Sequence, residues 1–360
     1  MSLPAALASY EQVVVGNDES VGLRAIVAVH STALGPALGG TRFVAYADTD
    51  AALADVLDLA RAMTYKNALA GLAHGGGKAV IIGDPRRDKT PELLTAYGRL
   101  VASLQGAYVT AADVGTYVAD MDLIATVNPW TTGRSPANGG CGDSGDLTAV
   151  GVHHSLRAVA EHLWGSPSLA GCRVGITGAG KVGARLAASV VADGGRVLVA
   201  DVDADAIARL RAACPEVEVA TDADAVVSAE LDIFSPCALG GAVTREVAGR
   251  LRAQAICGAA NNQLAEPDLV DVLEARGVLV APDFVVNAGG VIAVGGEYAG
   301  RGRYDEPAAR ERARAIGGTL LDVLRRASDT GISPLLAAER LAEERIAAAP
   351  PRPSFTSPAV

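Results

Sequence analysis

The stretch Arg173-Val174-Gly175-Ile176-Thr177-Gly178-Ala179-Gly180-Lys181-Val182-Gly183 decides the fold. Arg173–Thr177 reads as a buried strand, the glycines as a turn, and the apolar run to about Ala192 as a helix. A second β-rich run, Arg196–Ala200, ends at Asp201. A G-x-G-x-x-G sequence alone is weak. Set between strand and helix, with an acid after the next strand, it predicts a dinucleotide site. Gly178, Gly180 and Gly183 permit the tight turn and bring a pyrophosphate to the helix N-terminal amides, with Lys181 and Val182 completing the fingerprint. Asp201 is expected to accept hydrogen bonds from the adenosine ribose and to repel a 2′-phosphate, which favours NAD over NADP.

The sheet continues outward from there. Val217–Ala220, Leu231–Ser235, Ala255–Gly258 and Gly277–Ala281 are further strand-like runs. The loops Pro236–Gly241, Gly258–Asn262 and Pro282–Gly290 follow three of them, at the carboxyl ends where a nicotinamide would rest. They bring in Cys237, Ala238 and Asn262. Ala308–Arg326 and Ser333–Ala348 are Ala/Arg/Leu-rich helices, the second expected to pack back on the N-terminal part. The Pro/Ser-rich tail Pro350–Val360 is expected to be disordered.

In the N-terminal half, Gln12–Val15 and Leu23–Val29 read as strands joined by a turn, and Gly35–Arg42 as a glycine-punctuated loop. Asp48–Asp50 offers N-caps for a helix with Leu53, Val56, Leu57, Ala60 and Met63 on one face, delivering Lys66 near its end. Then comes Lys66-Asn67-Ala68-Leu69-Ala70-Gly71-Leu72-Ala73-His74-Gly75-Gly76-Gly77-Lys78. Lysine occurs only at Lys66, Lys78, Lys89 and Lys181, so two of four fall in this one segment. Arginine stays protonated, whereas a desolvated lysine can serve as a base. The glycines would let backbone approach a ligand; the bland reading is a Gly-rich turn with two solvated lysines. Ala79–Ile82 reads as a strand, Pro91–Leu104 as a helix, and Tyr108–Ala112 as a strand ending at Asp113-Val114-Gly115-Thr116.

Alternation of strands and helices predicts an α/β fold of two domains with an active-site cleft between them. Gly133–Gly145 is the expected boundary. Residues 1–145 form the substrate domain, completed by a helix at about 330–348; residues 146–329 form the Rossmann-type domain, and 349–360 the tail. A net charge of −10 argues against nucleic acid or an anionic membrane as partner. No apolar run is long enough to span a bilayer, and no basic, then apolar leader opens the chain. Five scattered cysteines without a C-x-x-C pair suit a reducing cytoplasm. The five histidines make no H-E-x-x-H or Cys/His cluster, so no metal is expected.

The lysine stretch, the Asp-Val-Gly-Thr segment, the fingerprint, Gly258-Ala259-Ala260-Asn261-Asn262 and Asn287-Ala288-Gly289-Gly290 together resemble the glutamate/leucine/phenylalanine/valine dehydrogenase family. The likeness runs from about Val13 to Ala348. His30-Ser31-Thr32-Ala33-Leu34-Gly35-Pro36-Ala37-Leu38-Gly39-Gly40-Thr41-Arg42-Phe43 is most similar to the actinomycete-type valine branch. The resemblance implies that Lys66 holds the substrate α-carboxylate, Lys78 activates water and Asp113 shuttles a proton at the substrate nitrogen. Gly39 and Gly40 would approach the substrate through backbone. Asn262 would lie between substrate and nicotinamide, and Thr148 would bond the nicotinamide amide.

In the family's glutamate enzymes a lysine precedes the Gly-Gly of the first loop. Here that residue is Leu38, so a second carboxylate would go unpaired. By the same correspondence Ala111, Val291 and Val294 line the side-chain pocket with Leu38, which favours valine, leucine or isoleucine. The alternative within the family is phenylalanine. Asp146, shortly before Thr148, is an acid where the family suggests a small or apolar residue. A hydroxy-acid dehydrogenase would be expected to carry a histidine base in the later loops, yet His153, His154 and His162 all precede the fingerprint. A non-catalytic NAD-binding sensor has no need of both lysines and Asp113. The implied partners are an L-amino acid, its 2-oxo acid and further copies of the chain.

Overall fold

The computed structural model describes residues 7–300 and 303–350. The expected tail therefore lies almost wholly outside the described residues. Two compact units are present. The first takes in residues 1–144, 291–309 and 342–360; the second takes in 145–290 and 310–341. Residues 291–309 thus join the first unit rather than the second, a departure from the sequence reading with a physical cause given below.

In the first unit, strands β1 (Gln12–Asp18), β2 (Leu23–Ser31) and β3 (Ala37–Val44) precede helix α1 (Thr49–Leu69). Strand β4 (Gly75–Ile82), helix α2 (Pro91–Ala102), strand β5 (Tyr108–Ala112) and helix α3 (Val118–Ala125) follow. The sheet order is β1-β2-β4-β3-β5, with β1, β2 and β4 antiparallel and β3 parallel to both neighbours. Two regions expected as loop are strand: Gly35–Arg42 is mostly β3, and β4 begins at Gly75 rather than Ala79. Strand pairing overrides the low β-propensity of glycine here because neighbouring atoms occupy the space a side chain would need. A Cβ on Gly76 would overlap backbone N of Thr64 in α1, one on Gly75 would overlap Ser31 O, and one on Gly77 would come 2.9 Å from the Tyr108 ring. The three glycines therefore serve close packing of protein on protein, not approach to a ligand.

Asp48 caps α1, accepting the Ala51 N–H at 2.8 Å. Asn67 in its last turn ties β3 to β4, donating to Leu38 O at 3.1 Å and Gly75 O at 2.6 Å. Two cores sandwich the sheet. One, with Val56, Leu57, Ala60 and Val80, lies under α1; the other, with Phe43, Ile81, Leu93, Tyr97 and Tyr108, lies under α2 and α3.

The second unit begins with α4 (Gly145–Trp164), β6 (Arg173–Thr177), α5 (Lys181–Ala192), β7 (Arg196–Ala200) and α6 (Ala204–Ala213). It continues through β8 (Glu218–Val219), α7 (Ala223–Ser228), β9 (Leu231–Pro236), α8 (Arg245–Arg250) and β10 (Ala253–Ile256). Then come α9 (Leu269–Ala275), β11 (Leu279–Val280) and α10 (Asp283–Val286). All six strands are parallel in the order β11-β10-β9-β6-β7-β8. Counted from β6 this is the 3-2-1-4-5-6 order of dinucleotide-binding sheets, with its switch point between β6 and β9.

Three helices complete the chain: α11 (Gly289–Ala299), α12 (Glu306–Thr330) and α13 (Pro334–Ala347). Glu297 of α11 fixes that helix to the first unit. Its carboxylate, 1 % exposed, accepts from Gly133 N at 2.8 Å, Cys141 N at 3.0 Å and Arg134 Nε at 2.8 Å. Near the end of α13, Arg345 Nη1 donates to Ala68 O and Leu69 O at the close of α1. No described helix is long and apolar enough to cross a membrane.

Candidate active site

The sheet of the first unit brings two of the expected residues into direct contact. Lys78 rises from β4 and is only 6 % exposed. Its Nζ lies 2.6 Å from Oδ2 of Asp113, the residue that follows β5. A short turn fixes Asp113: its N–H donates to Thr116 Oγ1 at 2.9 Å, and that hydroxyl donates to Thr41 O at 2.8 Å. Gly40 on β3 makes room, since a Cβ there would lie 2.8 Å from Asp113 Cβ. Burial pushes the Asp113 carboxyl up, but the Lys78 ammonium and then the Arg42 guanidinium outweigh it and leave it below the usual carboxylate range. The 2.6 Å contact gives a proton a short route between the two side chains.

Lys66 sits half-buried in the last turn of α1, the helix packed on β4 at Gly76. Gly39 and Gly40 lie within β3, and Gly39 O accepts the Tyr108 hydroxyl at 2.7 Å. Leu38 is fully buried, Ala111 and Val291 nearly so, and Val294 half-buried. All four belong to the first unit. His74, within the lysine stretch, is buried with Nδ1 3.0 Å from Pro36 O and its ring edge-on to Tyr298. Burial lowers its pKa, which suits a neutral ring donating to that carbonyl.

The sequence reading overlooked Arg42, Asp55 and Tyr46. Arg42 Nη1 lies 3.1 and 3.0 Å from the two Asp55 oxygens, and the Tyr46 hydroxyl donates to Asp55 Oδ2 at 2.5 Å. Arg42 Nε lies 3.4 Å from Asp113 Oδ2. An available signal was Arg42 standing four residues after Leu38 in the same glycine-rich phrase.

The fingerprint of the second unit sits at the switch point. Gly178 has φ +103°, which a side chain rarely adopts, and a Cβ there would lie 2.8 Å from Ala238 N. Cys237 N donates to Thr177 O at 2.8 Å, so Cys237 and Ala238 adjoin the turn. A Cβ on Gly183 would overlap Gly178 O, whereas one on Gly180 would meet nothing within 4 Å. Open space thus lies over the N-cap of α5, with exposed Lys181 and half-buried Val182 next to it. The residues present fit a dinucleotide pyrophosphate there.

Asp201 follows β7 and braces the turn. Its Oδ2 accepts Ala179 N at 2.5 Å, and its Oδ1 accepts Asp203 N at 2.8 Å. A carboxylate has lone pairs left for further donors. Asn262 is exposed with φ +48°, and its carbonyl accepts Gly241 N at 2.8 Å, joining the loops after β9 and β10. Asn287 braces the same region through Asn261 Oδ1 at 2.9 Å and Ala259 O at 3.1 Å. Thr148 lies in the first turns of α4. The unexpected acid before it, Asp146, is matched by Arg310 at 2.5 Å and Arg185 at 3.8 Å.

Comparison with known proteins bears on both units. Residues 8–128 match the Glu/Leu/Phe/Val dehydrogenase dimerisation domain, and residues 139–351 match the glutamate/leucine/phenylalanine/valine dehydrogenase domain. The chain belongs to this family. It is 55 % identical to the valine dehydrogenase of Streptomyces coelicolor over 96 % of this chain and 94 % of that one. Against the leucine dehydrogenase of Bacillus subtilis it is 45 % identical, over 94 % and 91 % of the two chains. The crystal structure of L-tryptophan dehydrogenase from Nostoc punctiforme superposes with a TM-score of 0.83 at 37 % identity, covering 95 % of this chain and 97 % of that one. The two-domain α/β fold and membership of an amino-acid dehydrogenase family are thus shown.

Proposed function

We propose that the protein catalyses the reversible, NAD-dependent oxidative deamination of a branched-chain L-amino acid, valine first, to the 2-oxo acid and ammonium. The observation that carries this reading is the buried Lys78–Asp113 pair at 2.6 Å in a chain of this family. Deamination needs a group to take protons from the substrate nitrogen and a group to activate water at the α-carbon. Bound dinucleotide supplies the hydride acceptor. Lys66 pairs with the α-carboxylate, with Gly39 and Gly40 backbone nearby. Asp113 accepts a proton from the substrate ammonium and later returns one to the departing nitrogen. Lys78, acting as the neutral amine after its own proton has left to solvent, takes the proton of the attacking water, and its contact with Asp113 lets a proton pass between the two roles.

Leu38, Ala111, Val291 and Val294 offer only aliphatic surface, which supports valine, leucine and isoleucine as substrates and disfavours glutamate. Discrimination among them by one methylene is worth only about 1–3 kcal/mol. In the second unit Gly178, Gly180, Lys181, Val182 and Gly183 hold the pyrophosphate, with Cys237 and Ala238 beside them. Asp201 takes the ribose hydroxyls and selects NAD over NADP. Thr148 and Asn262 serve the nicotinamide end. The match of residues 8–128 to a dimerisation domain supports association of copies.

The test is reduction of NAD and of NADP by purified protein with valine, leucine, isoleucine, phenylalanine, alanine and glutamate. Turnover with NAD on the branched-chain members is expected. Activity on phenylalanine alone would overturn the pocket assignment, and no turnover on any would favour a non-catalytic NAD sensor.

A further inference from the structure

Asp113 faces cations from two strands, Lys78 on β4 and Arg42 on β3, with the Tyr108 hydroxyl on β5 the remaining titratable group beside it. Behind Arg42, α1 contributes Asp55, which is itself held by Tyr46. Four charged groups thus alternate in sign along one line: Asp55, Arg42, Asp113, Lys78. Arg42 Nε and Asp113 Oδ2 both lie buried in this line. Arg42 Nε is buried and makes no hydrogen bond among the described residues, while lying 3.4 Å from Asp113 Oδ2. Asp55 engages the other end of the guanidinium, so the Nε–H is kept for Asp113.

We infer that Arg42, clamped by Asp55, is a positioning residue that keeps Asp113 ionised and in place while Lys78 is engaged with water. The inference rests on the deamination reading above. In that reading Lys78 changes charge during turnover, so for part of the cycle Asp113 loses its nearest cation. A buried carboxylate left without a cation would take up a proton and cease to be an acceptor. Arginine is the side chain that cannot fail in this duty, because it stays charged throughout. Burial works against the guanidinium charge, but Asp113 and then Asp55 outweigh it. The Nε–H lies within a small movement of hydrogen-bond distance, so it can close on Asp113 when Lys78 turns away.

The experiment compares Arg42→Met, Arg42→Lys and Asp55→Asn with wild type by kcat against pH, using valine and NAD, with NADH affinity as the control on the second unit. Removing a nearby cation raises the carboxyl pKa, so Arg42→Met should move the acid limb up by about one pH unit. Its deficit should then narrow as pH rises. Arg42→Lys should restore the position of the limb more fully than the rate. Asp55→Asn removes an anion and should leave the limb in place or move it down. A uniform loss at every pH in Arg42→Met, with the limb unmoved, would assign Arg42 a merely structural role and overturn the inference. Should Arg42→Met fail to fold, Arg42→Gln is read in its place, and an unmoved limb in Arg42→Gln would overturn the inference equally. A wild-type protein without turnover would remove the deamination reading and this inference together, whereas an active wild type with unmoved limbs removes the inference alone.

Discussion

Replacing Lys78 by alanine tests the site most sharply, because the structure separates its chemical effect from its structural one. The substitution deletes an ammonium that is 6 % exposed and 2.6 Å from Asp113 Oδ2. Loss of a positioned acid or base typically lowers turnover by about 10²–10⁴-fold. Stripping one partner from a buried ion pair costs about 3–5 kcal/mol. Arg42 remains 3.4 Å from the abandoned carboxylate. The lower end of that range, about 3 kcal/mol, is therefore expected. NADH binding, which draws on the fingerprint of the second unit, should survive. The assay pairs valine-dependent NADH production with fluorescence titration of NADH and a denaturant melt. Added ethylamine should recover part of the lost rate, since the deleted side chain leaves space for a small base. Turnover within about tenfold of wild type would refute the assigned role. Loss of NADH binding in step with activity would refute it as well.

Three further outcomes follow from the same geometry. Asp201→Ser keeps an acceptor for Ala179 N while removing the charge; NAD affinity should fall and the preference over NADP relax, and unchanged preference would take Asp201 out of the site. Glu297→Ala strands three buried donors, at Gly133, Arg134 and Cys141, and should cost about 3–5 kcal/mol on a denaturant melt. The Cys141 thiol, raised first by burial and then by Glu297, should react faster with a thiol reagent in that variant. Asp113 is held below the usual carboxylate pKa, so its contribution to stability is complete above about pH 4 and is lost as pH falls through the lower folded value. Acid unfolding profiles of wild type and Asp113→Asn should accordingly differ most above about pH 4 and converge as pH falls through the lower folded value of Asp113.

The nucleotide-binding unit was legible because local pattern and tertiary structure agree there. The runs Arg173–Thr177, Lys181–Ala192 and Arg196–Ala200 carry their own periodicity, and the glycines mark the turn between the first two. Strand β3 and the first half of β4 were not legible. A strand built on Gly39, Gly40, Gly75, Gly76 and Gly77 shows no alternation, since the occupants of its faces come from elsewhere in the chain. For Gly75, Gly76 and Gly77 the expected approach to a ligand gives way to packing against protein. Lys78 and Asp113 could be singled out by residue type and resemblance, but their contact depends on the pairing of β3 with both β4 and β5. The partnership of Arg42 with Asp55 and Asp113 is wholly tertiary. Glu297 left a fainter signal, a lone acid in the otherwise apolar helix Gly289–Ala299, without any hint of its three donors.

The most direct measurement of the central claim is product stoichiometry. Purified protein is incubated with valine and NAD, and NADH, ammonium and the 2-oxo acid are quantified from one reaction. Oxidative deamination predicts one ammonium and one 2-oxo acid for each NADH, with all three falling together in Lys78→Ala. NADH formed without ammonium, or ammonium released without NADH, would contradict the account.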